Sequence, residues 1–184
     1  MDFISNKPSN GKLGDIIIEN EKSKIMVNEA KTSEGEFPFF TSGQALLYVK
    51  DYIIDGQNIF LNTGGNADIK HYIGKASYST DTWSIKAIDK LTDYLYILLF
   101  ISKSEINDNY FEGSALKHLQ KSNLKNKEIY IPTKDECIYL YSTLHPLITN
   151  IVDNLKQNRQ LVKIRNLLLP KLMSGEIDVS KIDI

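Results

Sequence analysis

A single cysteine, Cys137, in 184 residues leaves no internal disulfide and no cysteine cluster for a metal. Arginine is almost as scarce. Arg159 and Arg165 are the only two, and residues 1–132 contain none. The side chain that most often reads guanine is therefore missing from most of the chain. The longest apolar run, Tyr94 to Ile101, falls far short of the roughly 20 residues needed to cross a bilayer. Met1, Asp2 and Phe3 lack the basic and apolar regions of a signal peptide, which predicts a cytoplasmic protein. No G-x-G-x-x-G or G-x-x-x-x-G-K-[ST] loop is present for a nucleotide. Nor is there an Asn-Pro-Pro-aromatic run to position an amine for methyl transfer. The three histidines, His71, His118 and His145, have no metal-ligand spacing. A net charge of −1 argues against a broadly basic nucleic-acid face.

What charge there is lies unevenly. Residues 1–55 carry six lysines against nine acids, whereas residues 113–127 carry Lys117, Lys121, Lys125 and Lys127 and no acid. That run reads as a solvated face or as a local phosphate-contacting patch. Glu29-Ala30-Lys31, with Asp15 upstream, has the form of half a nuclease metal motif. Such tripeptides are common by chance, and this one sits in a charged stretch.

Short runs rich in β-branched and aromatic residues fill the first 90 positions: Leu13 to Ile18, Phe37 to Phe40, Ala45 to Val49, Asn58 to Leu61 and Trp83 to Ile88. Turn chemistry separates them, at Ser42-Gly43, Asp55-Gly56, Gly64-Gly65-Asn66 and Ile73-Gly74. Thr92 is placed to cap a helix through Ser102. Glu128 to Ile131 reads as a closing strand that Pro132 ends. Thr133-Lys134-Asp135-Glu136 then has the form of a capping box.

From there a heptad pattern runs to Gly175. Tyr141, Leu144, Ile148, Ile151, Leu155, Asn158, Val162, Arg165, Leu169 and Leu172 form an a/d seam with two polar positions. One helix cannot bury its own seam, so a partner helix is expected, most simply from a second copy of the chain. Asn158 would fix register there. Pro146 predicts either a kink or a helix break near Thr143. Ser174-Gly175 supplies the stop. A continuous helix would be roughly 60 Å long at about 1.5 Å per residue. The fold class is α+β: a β-rich domain over residues 1–132, a long coiled-coil helix over 133–175 and a tail over 176–184.

The order of these features resembles the DNA-specificity subunit of type I restriction–modification systems. Lys12-Leu13-Gly14-Asp15-Ile16 resembles the opening of a target recognition domain. Phe37-Pro38-Phe39-Phe40-Thr41-Ser42-Gly43, then Asp55-Gly56 with Ile59-Phe60-Leu61 and Gly64-Gly65, are similar to its next segments. Gly113-Ser114-Ala115, Leu119, Leu124 and Ile129 to Pro132 resemble its close. Ile164-Arg165-Asn166-Leu167-Leu168 and Lys171-Leu172-Met173-Ser174-Gly175-Glu176 are the most specific match.

The resemblance implies a non-catalytic subunit that needs no cofactor of its own. Its partners would be double-stranded DNA, methyltransferase (modification) subunits and a restriction subunit. Family members carry two recognition domains and two helices, so this chain resembles half of one. A homodimer of it would read a bipartite palindrome. Base-reading candidates at the turns are Thr41, Ser42, Gln44, Asn62, Asn66, Lys70, His71, Ser114, Lys117 and His118, joined by Lys121 from the lysine run. Gly43, Gly65 and Gly113 would shape the loops. A rival reading from the seam alone is a coiled-coil interaction adaptor that makes no DNA contact.

Overall fold

The computed structural model describes residues 7–177. Within them the chain divides into two compact units, one ending at His145 and the other beginning at Pro146. The fold class is the expected one, a β-rich region followed by a long helix.

The first unit is built on a four-stranded antiparallel sheet. Its order is β2 (Ile17–Glu19), β8 (Thr82–Ala87), β5 (Gln57–Asn62) and β6 (Ile69–Ile73). Side chains alternate faces along a strand. Ile59 and Leu61 of β5 therefore turn one way and Phe60 the other, and all three are buried. The Ile59 face packs with Ile85, Tyr94, Leu95 and Leu99, the last three from helix α3 (Thr92–Ile101). The Phe60 face packs with Phe40, Ala76 and Tyr78. Phe40 stacks on Phe60 with ring centroids 4.0 Å apart and planes 9° apart. A central strand apolar on both faces thus joins two cores.

Phe40 belongs to a second sheet of β4 (Leu46–Val49), β3 (Phe37–Phe40) and β7 (Ser77–Tyr78). β3 and β7 run parallel, with Phe39 beside Ser77 and Phe40 beside Tyr78. The pairs β1 (Gly11–Lys12) with β11 (Glu128–Ile129), and β9 (Phe111–Glu112) with β10 (His118–Leu119), tie in the ends. Helices α4 (Lys103–Asn109) and α5 (Lys121–Lys125) complete the unit.

Several local expectations change. Leu13–Ile16 is a single helical turn, α1, rather than a strand, and Asp15 closes its start by accepting from the Lys12 amide at 2.7 Å. Val27–Lys31 is a short helix, α2, on which Ala30 packs with Phe39 and Val49. Glu29 accepts from the Met26 amide at 3.2 Å, so the half-motif for a nuclease is occupied in capping. Thr92 lies inside α3 rather than before it, and its hydroxyl accepts from the Ala87 amide at 3.0 Å. The expected capping box at Thr133 is present: the Thr133 amide donates to Glu136 at 2.9 Å and the Glu136 amide to Thr133 Oγ1 at 3.5 Å.

Helix α6 runs unbroken through 40 residues, Lys134–Met173, with Pro146 and Pro170 inside it. Gly175 ends it with φ +73°. In the first unit, Cys137, Leu140 and Leu144 pack on the domain core. In the second, Ile148 is 3% exposed but Ile151 is 54% exposed. This corrects the seam as read from sequence. Leu144 is taken up by the chain's own core and Ile148 is already buried, so the open seam starts at Ile151. Leu155, Val162, Leu169 and Leu172 are exposed, as are Asn158 and Arg165. The tail expected at 176–184 lies outside the described residues beyond Ile177.

Candidate nucleic-acid interface

Four loops meet beside the strands: residues 41–45, 63–68, 79–81 and 113–118. Three of them join at the carbonyl of Asp81, which accepts from the Thr63 amide and the Thr63 hydroxyl, each at 3.0 Å. The Ser42 hydroxyl donates to the same oxygen. The Gly65 amide donates to the Lys117 carbonyl at 2.9 Å, and Leu119 donates to Thr63 at 3.0 Å. The Lys70 ammonium donates to the carbonyls of Thr41 at 2.8 Å and Gly43 at 2.5 Å. It also pairs with Asp68 at 3.3 Å. Two glycines are required by the geometry. Gly65 has φ +84°, and Gly113 has φ +139° with a would-be Cβ only 2.3 Å from the Leu116 carbonyl.

The eleven sequence candidates separate by exposure. Gln44, Asn66, Ser114, Lys117 and His118 are exposed on these loops. Thr41, Asn62 and His71 are buried, and this corrects their assignment as base readers. The Thr41 hydroxyl bonds the Gly43 and Ala45 carbonyls. Asn62 donates to the Gly64 and Asn66 carbonyls and accepts from the Asp68 amide at 2.6 Å, holding the turn from inside. Lys70 and Ser42 are committed to loop carbonyls.

Lys121 is half-buried, its ammonium 5.2 Å from the Trp83 ring centroid. Burial pushes its pKa down, neighbouring Glu19 pulls it back up, and Lys22 and Lys125 lower it further. The lysine run is less bare in space than in sequence. Lys125 pairs with Glu19 at 2.5 Å, and Lys127 pairs with Glu105. Lys117 has no ion-pair partner among the described residues. Burial raises Glu19, but hydrogen bonds from Lys125 and Trp83 outweigh it and hold the carboxyl below its usual range.

Sequence reasoning missed a cleft of about 270 Å³ against these loops. Glu19, Lys22, Thr63, Asp81, Trp83 and Lys121 are among its lining residues. Ser79-Thr80-Asp81-Thr82 is legible as a turn. Its meeting with residues 42 and 63 depends on the parallel β3–β7 pairing, which has no local signature.

His71 lies in a second polar cluster beneath the sheet. Its Nε2 is 3.1 Å from Gln57 Nε2, Gln57 also donates to Asp93, and Asp93 sits 2.9 Å from His145 Nδ1. Burial, and then the charge of His145, push His71 down to about 4. Burial raises Asp93 against the opposing pull of His145 and Gln57. Among the described residues no group of three or more His, Cys, Asp or Glu could hold a metal. No described helix is long and apolar enough to cross a membrane.

Residues 8–164 match the type I restriction modification DNA specificity domain. The chain belongs to that family. It is 26% identical over 170 residues to the type I restriction enzyme EcoDI specificity subunit of Escherichia coli, a match covering 90% of this chain and 38% of that protein. It is 37% identical over 89 residues to the MjaIX specificity subunit of Methanocaldococcus jannaschii, covering 48% of this chain and 20% of that one. In fold it is similar to the crystal structure of the type I S subunit from M. genitalium, with TM-score 0.67, 18% identity and coverage of 92% of this chain and 47% of the other. A chain from a structure describing complex assembly and conformational transition of the type I restriction–modification system matches with TM-score 0.56 at 13% identity, over 92% and 48%. The chain therefore spans half or less of the length of the relatives it matches.

Proposed function

We propose that this chain is a non-catalytic DNA-recognition component of a type I restriction–modification complex. Its β-rich domain reads one half of a bipartite site through the four convergent loops. The observation that carries this reading is the loop junction itself. Exposed donors and acceptors on Gln44, Asn66, Ser114, Lys117 and His118 surround an internally braced frame, in a chain of this family. Lys117 supplies phosphate contact, and the polar side chains supply base contact.

The open stretch of α6 serves assembly. Ile151, Leu155, Val162, Leu169 and Leu172 form one exposed apolar stripe at heptad spacing. A second copy of the chain covers it, which gives two recognition domains and a palindromic bipartite target. Leu161, Ile164 and Leu168 lie about a quarter-turn round the same helix and are also exposed, leaving a face for methyltransferase subunits. Methyl transfer and cleavage belong to those subunits and to the restriction subunit.

Methylome sequencing tests this, in cells carrying the methyltransferase subunit with and without the chain. A two-part palindromic methylated motif that depends on the chain is expected. A chain-dependent asymmetric motif would keep recognition and replace the homodimer by a mixed pair. No chain-dependent motif would refute DNA recognition and leave an interaction adaptor.

A further inference from the structure

Asp81 is out of place on a surface meant for DNA. It is exposed, sits at the junction of the loops, and its carboxylate has no hydrogen-bond or ion-pair partner among the described residues. A negative charge brought up to a phosphate backbone opposes binding. Such a charge is compatible with the surface where it meets a donor on a base rather than a phosphate.

The geometry favours that use. The Asp81 carbonyl is fixed by three donors from two other loops, so the backbone that carries its side chain is set before DNA arrives. Beside it the 270 Å³ cleft gives room for a base edge, with Thr63, Thr80, Lys22 and Lys121 among its lining residues. The major groove exposes only two kinds of donor, the amino groups at adenine N6 and cytosine N4. A carboxylate accepts from these and repels the acceptor edges of guanine and thymine.

We propose that Asp81 is a specificity-determining residue that accepts a hydrogen bond from an exocyclic amino group, adenine N6 or cytosine N4, at one position of the half-site. The proposal rests on the reading of these loops as the DNA-contacting surface. Lys22 and Lys121 line the same cleft and supply positive charge to the surface around it.

The test begins with selection of bound sequences from a random duplex library. The full chain is used, with whatever modification subunits co-purify with it, as wild type and as Asp81→Ala. Ala keeps the backbone carbonyl and its three hydrogen bonds, so the melting temperature should stay within a few degrees. The wild type should enrich a motif, and Asp81→Ala should flatten one position of it while binding random DNA as well or better. That position is then rebuilt with an amino-less base, purine for adenine or pyrimidin-2-one for cytosine. The wild type should lose about ten- to a hundred-fold in affinity, in line with the discrimination of a good base contact, and the variant should be indifferent. Failure of the wild type to enrich any motif would overturn DNA reading altogether. An enriched motif that Asp81→Ala leaves unchanged would overturn the role of Asp81 alone. So would a flattened position at which the wild type tolerates the amino-less base.

Discussion

Acid should destabilise the β-rich unit through His71. The ring is 9% exposed, lies beside the Tyr96 ring at 5.0 Å, and faces Gln57, with Asp93 and His145 beyond. Its pKa is about 4 in the folded chain against an ordinary 6.5. Between those values the unfolded chain holds a proton that the folded chain refuses. The stability contributed by keeping His71 neutral is therefore present above pH 6.5 and is lost as pH falls toward 4. At about 1.36 kcal/mol per pH unit, the loss between pH 7 and pH 4.5 is roughly 2–3 kcal/mol. Asp93 works in the opposite direction, because its raised pKa makes protonation favour the fold. A variant separates the two. Urea unfolding of wild type and His71→Gln should be compared at pH 7 and pH 4.5. The wild type should lose about 2–3 kcal/mol more than the variant over that interval. An equal loss in both proteins would refute the argument. His71→Gln should also leave the choice of DNA site unchanged, since the ring is turned inward.

Replacing Ile151 and Leu155 together with Asp should yield a soluble monomer by light scattering; a dimer of unchanged mass would show that the stripe is not the interface. Lys117→Ala should weaken binding to all sequences alike and make the salt slope shallower by about 0.9, measured by titration across salt concentrations. Gly113→Ala forces a side chain onto the Leu116 carbonyl at positive φ, and should cost more than about 1 kcal/mol by denaturant melt while weakening DNA binding. Phe60→Ala removes the ring joining the two sheets and should cost about 3–5 kcal/mol; a loss under 1 would mean the two cores are independent.

What the sequence disclosed followed from how local its physical cause is. The strands at Phe37–Phe40, around Asn58–Leu61 and from Trp83 are dense in β-branched and aromatic residues, and they stand where expected. β6 escaped notice because Ile-Lys-His-Tyr-Ile looks like a loop; Lys70 and His71 are polar for internal reasons, one clamping loop carbonyls and the other joining Gln57. Leu13–Ile16 looks like a strand by composition and is helical because Asp15 satisfies its first amide. The Lys117–Lys127 run looked unopposed, yet Glu19 and Glu105 reach it from segments far away in the chain. The candidate site was legible as a set of turns. Which residues face out and which brace from within depends on long-range pairing that no window of sequence contains.

The last third of α6 carries Leu161, Val162, Ile164, Leu167, Leu168, Leu169, Leu172 and Met173, all exposed in the single chain. A contiguous apolar surface of that kind drives aggregation and invites cellular proteases. On the proposed assembly role, a newly made copy therefore has a limited time to have this stretch covered before it precipitates or is degraded. The amount of this protein in a cell is then set by the supply of whatever covers this stretch rather than by its own rate of synthesis. On that reading, surplus copies are removed through the same exposed stretch that assembles the productive ones.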